Sequence, residues 1–225
     1  MTHIRKVSIV SACFGSYDVP TPPTEQNCPY EVDYLMINDG EQQWDGWTSI
    51  VEPKPHLHAN VAAKVPKLRP DLYTDADYTI WVDAGCTFTD QLVNEVTKNK
   101  AEWTMFTHPV RIKLRPEVEV SRLNKKYDPL DLEGQVDHYL SLGYPNDQLW
   151  GTGLIGRTTS DHNARVGDVW LREICRWGFQ DQLSFPYVCW TNDLQPVSLG
   201  KRTQLSVDWV KFADHTQKEF EEGYG

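Results

Sequence analysis

The sequence predicts an α/β fold: a mostly parallel sheet flanked by helices, built as a single domain over residues 1–225. Three observations lead there. Short apolar, β-branched runs alternate with segments of helical periodicity, the order expected of parallel strands joined by crossover helices. Residues 78 to 85 read Tyr-Thr-Ile-Trp-Val-Asp-Ala-Gly, a buried-strand pattern that stops abruptly on one carboxylate, Asp83. Ligands of open α/β sheets sit just beyond such carboxyl ends. No linker composition divides the chain.

The elements follow in order. Val7 to Cys13 reads as the first strand, left through the loop Phe14-Gly15-Ser16-Tyr17-Asp18. Residues 19–30 carry four prolines and are irregular. Tyr34 to Ile37 is a second strand, closed by the turn signal Asn38-Asp39-Gly40. Ser49 to Glu52 is a short third. Asn60 to Leu68 is helical, with Pro66 kinking or shortening it. Thr79 to Asp83 is the strand that ends on the carboxylate. Thr89 caps a helix over Asp90–Lys98, with Leu92, Val93 and Val96 on one face. Trp103 to Thr107 is a strand. Residues 109–133 are charged and irregular and read as a flexible flap. Gln135 to Leu142 is helical and ends at Gly143. Trp150 to Arg157 is a strand interrupted by two glycines, which signals a bulge or a ligand close to the backbone. Asp161 caps a long helix through Trp177, with Val166, Val169, Trp170, Glu173 and Ile174 at helical spacing.

Composition bounds the function. The net charge of −10 argues against a general nucleic-acid binder. Two local basic clusters, Arg111/Lys113/Arg115 and Arg122/Lys125/Lys126, are either a recognition patch or a solvated face. The five cysteines (13, 28, 86, 175 and 189) are odd in number and include no Cys-x-x-Cys pair. That disfavours a disulfide framework and a zinc site, and fits a reducing, cytoplasmic setting. Cys13 and Cys86 lie in or beside apolar strand patterns and read as core. No apolar run approaches the about 18 residues of a membrane span. The many tryptophans and tyrosines fill the core for the most part, and some suit the faces of sugars or bases.

Five segments carry candidate chemistry. Asp83, with the small Ala84 and Gly85 after it, either holds a metal and through it a diphosphate, or is a turn residue. In the loop after the first strand, Tyr17 is placed to stack on a base and Asp18 to accept a hydrogen bond from it, or the loop is a tight turn. The absence there of Gly-x-Gly-x-x-Gly disfavours a dehydrogenase-type dinucleotide fold. Lys64, Lys67 and Arg69 would neutralise a departing diphosphate, or face solvent. Thr152 and Gly153 lie where the glycine-interrupted strand would meet a ligand. Asp181, after the long helix, either caps the next helix or takes a proton from an attacking hydroxyl.

These segments carry a resemblance. Phe-Gly-Ser-Tyr-Asp at 14–18, Val-Pro-Lys-Leu at 65–68, Tyr-Thr-Ile-Trp-Val-Asp at 78–83 and Thr-His-Pro at 107–109 occur in order, followed by Thr-Gly-Leu-Ile-Gly-Arg at 152–157 and Asp-Gln-Leu-Ser-Phe-Pro-Tyr at 181–187. Over residues 7 to 190 the chain resembles a glycosyltransferase-like family long catalogued as a domain of unknown function, whose plant members act in cell-wall and mucilage glycan synthesis. The resemblance implies a single GT-A-like (Rossmann-like) domain that binds a nucleotide sugar, UDP-linked, together with Mn²⁺ or Mg²⁺. It implies donor-binding roles for Phe14, Gly15, Tyr17, Asp18, Lys64, Lys67, Trp81, Asp83, Ala84, Gly85, Thr152 and Gly153. It implies a metal on Asp83 and His215, and catalysis by Asp181. One departure stands out: Gly85 takes the place of the second carboxylate of the Asp-x-Asp metal motif. The acceptor is a glycan or another hydroxyl compound, hydroxylated bases of phage DNA included, in a bacterial or phage-infected cell. An inactive nucleotide- or carbohydrate-binding module is the alternative.

Overall fold

Alternation along the strands divides the interior into two layers, one on each side of a seven-stranded sheet. The computed structural model describes residues 3–15, 18–40, 42–52, 58–201 and 206–212. Strands β1 (Lys6–Cys13), β2 (Glu31–Asn38), β3 (Thr48–Val51) and β4 (Tyr78–Val82) pair in parallel. The short β5 (Thr87–Phe88) leaves this sheet, and β6 (Trp103–Thr107), β7 (Trp150–Thr158) and β8 (Val197–Lys201) complete it in the order β3-β2-β1-β4-β7-β6-β8. β7 runs antiparallel to both its neighbours, β4 and β6, while β6 and β8 are parallel. The mostly parallel α/β sheet expected from the sequence is therefore present, with one reversed strand. β9 (Ser206–Val207) and β10 (Val210–Lys211) join β5 in a small antiparallel sheet.

Period-two burial sorts the side chains. On one side, Val10, Ala12, Leu35, Ile37, Trp81, Met105 and Ile155 pack under three helices. These are α2 (Lys64–Leu68), which follows the single turn α1 (Ala59–Ala62), and, later in the chain, the helices spanning Asp161–Trp177 and Asp181–Thr191. On the other side, Val7, Ile9, Ile80 and Val82 pack against Leu92, Val93 and Val96 of α3 (Leu92–Thr97). Trp81 and Asp83, two residues apart, thus share the α2 side.

Several local expectations are corrected. The segment 109–133 is not irregular. It holds α4 (Leu114–Ser121), a 3₁₀ turn at Lys125–Tyr127 and the start of α5 (Leu132–Ser141). Leu114 and Val118, one helical turn apart, are buried against Val136 and Tyr139 of α5. Asn146 Oδ1 accepts from the Leu114 amide at 2.8 Å. The charged residues between hid this stripe. The helix expected over 60–68 breaks at Ala63 into α1 and α2. Pro66 is tolerated because it lies in the first turn of α2, where no intrahelical N–H partner is needed. α3 begins at Leu92, beyond the reach of a Thr89 cap, although Thr89 Oγ1 accepts from the Gln91 amide at 3.3 Å. The long helix α6 (Asp161–Trp177) is capped by Ser160, whose hydroxyl accepts from the Asn163 amide, and not by Asp161. Cys13 and Cys86 are buried, as their strand patterns predicted.

Candidate active site

The chain order reverses at β1: β2 lies on one side and β4 on the other, both parallel to it. Such switch points open a crevice beyond the carboxyl ends of the strands. Asp83 is the first residue past β4 and its amide donates to the Gly153 carbonyl at 3.0 Å. Across from it, pairing between β6 and β7 slips between Met105 and Phe106, leaving Thr152 to Leu154 in a bulge. The two glycines of that strand pattern foretold it. Gly153 is required there: a Cβ would lie 2.9 Å from the Phe212 ring and 3.1 Å from Asp83 Oδ2.

Four charged side chains converge on this strand end. Trp81 Nε1 donates to Asp83 Oδ1 at 2.8 Å, and Lys67 Nζ reaches the same oxygen at 3.3 Å. Lys67 Nζ also pairs with Asp181 Oδ2 at 2.7 Å, and Lys64 Nζ pairs with that oxygen at 2.6 Å. The remaining Asp181 oxygen accepts from Thr152 Oγ1 at 2.9 Å. Asp181 opens α7 (Asp181–Thr191) but does not cap it, because its carboxylate turns inward to the lysines. Asp83 is the outward member: its side chain keeps 43% of its surface, against 7% for Asp181 and 4% for Lys67.

The electrostatics follow from burial and pairing. Burial alone would raise the Asp181 carboxyl, but the Lys64 and Lys67 ammonium groups outweigh it and hold the carboxyl well below the usual carboxylate range. Burial also works against the Lys67 ammonium, and Asp181 and Asp83 together more than offset it, so its pKa is raised. Lys64 is pushed down by burial and by Lys67, with Asp181 compensating only in part. A carboxylate this strongly stabilised as the anion is a weak proton acceptor.

The other expected residues are distributed as follows. Phe14, Trp81 and Ala84 are buried, so Trp81 positions Asp83 from within. Gly15 has φ +66°, and its amide donates to Asp39 Oδ2 at 2.8 Å, which fixes the exit from β1. Asp18 is the last residue of the loop after β1, where its carbonyl accepts from Cys13 Sγ at 3.4 Å, and Gly85 lies in the turn closed by the Cys86 amide on the Asp83 carbonyl. Arg69 is turned away, paired with Asp71 and Asp168. Tyr17 and His215 lie outside the described residues.

Sequence reasoning missed two features. Arg157, buried in β7, donates to the carbonyls of Lys67 and Leu68 and stacks over Trp103 with its guanidinium carbon 4.9 Å from the ring centroid. It thereby fixes the last turn of α2, which carries both lysines. A lone arginine closing an apolar strand was the available signal. The second is an aromatic rim. The exposed His58 stacks parallel on Phe179 at 5.5 Å, and Phe179 meets Tyr127 at 5.8 Å, two residues before Asp181.

A divalent metal at Asp83 fits this donor set poorly. Mg²⁺ and Mn²⁺ accept one or two carboxylates completed by phosphates and water. Here Asp83 Oδ1 already receives Trp81 and Lys67 and both oxygens of Asp181 are engaged, so only Asp83 Oδ2 is left to a metal, on a carboxylate that already holds an ammonium. Among the described residues no three His, Cys, Asp or Glu side chains are grouped to hold an ion.

The family model for TOD1/MUCI70 glycosyltransferase-like domains matches residues 1–220. The chain belongs to this family. No curated protein matches it. In this TOD1/MUCI70 member, no helix among the described residues is long and apolar enough to cross a membrane.

Proposed function

We propose that this TOD1/MUCI70-family chain transfers a sugar from a nucleotide-sugar donor, UDP-linked, to a hydroxyl acceptor in a GT-A-type site. The observation that carries the reading is the meeting of Lys64, Lys67, Asp83 and Asp181 at the carboxyl end of β4, beside the switch point at β1. The base and ribose lie beside Gly15 and Asp18 past the end of β1, the diphosphate faces the lysines, and the outward Asp83 oxygen accepts from a donor hydroxyl. Thr152 and Gly153 form the wall of the pocket. Asp181, enclosed by two ammonium groups and a hydroxyl, acts through the lysines it holds. The rim of His58, Phe179 and Tyr127 is the acceptor side, since flat rings suit the faces of sugar rings.

A glycan acceptor is favoured over DNA. Of the basic clusters expected to face nucleic acid, Arg111 pairs with Glu117, Arg115 with Asp137 and Arg122 with Glu133. The alternative of an inactive binding module draws on the same enclosure of Asp181. Incubation with UDP-sugars in the absence of acceptor separates the two. A transferase releases UDP slowly to water. Donor binding with no release over a day would leave only the binding module.

A further inference from the structure

Lys67 is a buried cation on two carboxylates at the one place where the family resemblance expects a metal. Its Nζ lies 3.3 Å from Asp83 Oδ1, 2.7 Å from Asp181 Oδ2 and 5.5 Å from the centre of the Trp81 ring. Its position is fixed from both ends. Trp81 orients the Asp83 carboxylate, and Arg157 holds the Lys67 and Leu68 carbonyls. Gly85 stands where a second outward carboxylate would complete a metal pair. A divalent ion on Asp83 would share that carboxylate with a fixed ammonium, and like charges in a partly buried site repel strongly.

We propose that the Lys67 ammonium is the built-in cation of this site, filling the role a divalent ion would have on Asp83, so that nucleoside diphosphates bind without added metal. The proposal rests on the donor reading above. Lys64 supplies the contact to the anion: an ammonium donates three hydrogen bonds, and Lys64 spends one on Asp181. Diphosphate oxygens can take the others while Lys67 bridges the two carboxylates beneath them.

The test is calorimetric titration of the whole chain with UDP, GDP and CDP, once in EDTA and once in millimolar Mn²⁺. The expected result is that at least one nucleotide binds, with dissociation constants in the two buffers agreeing within about fivefold. Binding that tightens by more than about fivefold with Mn²⁺ overturns the proposal and leaves the donor reading standing. No binding of any nucleotide in either buffer overturns the donor reading itself, and the proposal with it. A second measurement uses Mn²⁺ alone in thermal melts of wild type and Lys67→Ala. Removing the Lys67 ammonium leaves Asp83 without its cation and Asp181 with Lys64 alone, so Mn²⁺ raises the melting temperature of the variant and not of wild type. A Mn²⁺ shift in wild type equal to that of the variant counts against Lys67. If Lys67→Ala does not fold, the nucleotide titrations on wild type decide the matter.

Discussion

Lys64 and Asp181, 117 residues apart in sequence, meet at 2.6 Å inside the protein and tie α2 to the first turn of α7. With Lys67 on the same oxygen, the Asp181 carboxylate pairs with two ammonium groups away from water, and Asp83 supplies the second negative charge. Removing one partner of a buried ion pair costs on the order of 3–5 kcal/mol, because the other charge is left uncompensated. Asp181→Asn should therefore lose about 3 kcal/mol in urea unfolding, with the Thr152 hydrogen bond retained by the amide oxygen. A loss under about 1 kcal/mol, the scale of a helix cap, would show that the lysines do not depend on this carboxylate.

The same pair predicts an acid response. The Asp181 carboxyl lies below its ordinary value of about 3.9 when folded and returns to it when unfolded. Between those values the unfolded state binds more protons, so stability rises with pH there. The contribution of Asp181 is complete above about pH 5 and is lost as pH falls through the ordinary carboxylate range toward the folded value. Unfolding midpoints of wild type and Asp181→Asn should differ most near pH 6, begin to approach one another below about pH 4, and still differ at pH 3 because the folded carboxyl titrates lower. A constant difference across that range would place the pH dependence elsewhere.

Asp83 should behave differently, because it is half-exposed at the carboxyl end of β4. Asp83→Asn keeps the Trp81 hydrogen bond, and a partly solvated ion pair contributes little to stability, so the melting temperature should move by no more than a few degrees. Donor binding should weaken by about 10-fold or more, the scale of one hydrogen bond to a charged acceptor. Wild-type affinity for UDP and UDP-sugars in this variant would reduce Asp83 to the turn residue that its backbone also makes it.

How much of this was legible beforehand varies by residue. The strand ending on Asp83, the bulge at Thr152–Gly153 and the two-sided apolar strands follow from local pattern, because alternation and glycine placement record the backbone geometry directly. The reversal of β7 left no local mark, since an antiparallel strand buried on both faces carries the same apolar run as a parallel one. The packed helix α4 was obscured by the charges that surround Leu114 and Val118. The enclosure of Asp181 is a long-range fact. Its position before an apolar segment suits a cap equally well, and only the placement of α2 against α7 turns its side chain inward.

The aromatic rim yields a prediction on the acceptor side. Phe179 lies between His58 and Tyr127. Phe179→Ala removes the shared face without touching the lysine cluster. UDP affinity should stay within about twofold, while transfer to a glycan acceptor loses kcat/KM by about 10-fold through a raised KM, the signature of lost ground-state binding. An equal loss of UDP affinity would assign the rim to the donor.

Gly153 gives the sharpest test of the crevice wall. Its missing side chain is what lets the Phe212 ring and the Asp83 carboxylate approach β7, at 2.9 and 3.1 Å from where a Cβ would stand. Neither neighbour can retreat freely: Asp83 is held by Trp81 and Lys67, and Phe212 packs edge-on to Phe106. Gly153→Ala should cost about 1–3 kcal/mol through overpacking and weaken UDP binding together with stability, because Asp83 has to turn. Gly151→Ala is the control. It lies two residues away in the same strand, and its Cβ would meet only Phe106, at an ordinary 3.7 Å. It should cost less than about 1 kcal/mol and leave UDP affinity unchanged. If both variants bind UDP as wild type does, the bulge at Thr152–Leu154 is a feature of the sheet alone and the donor lies elsewhere along the crevice.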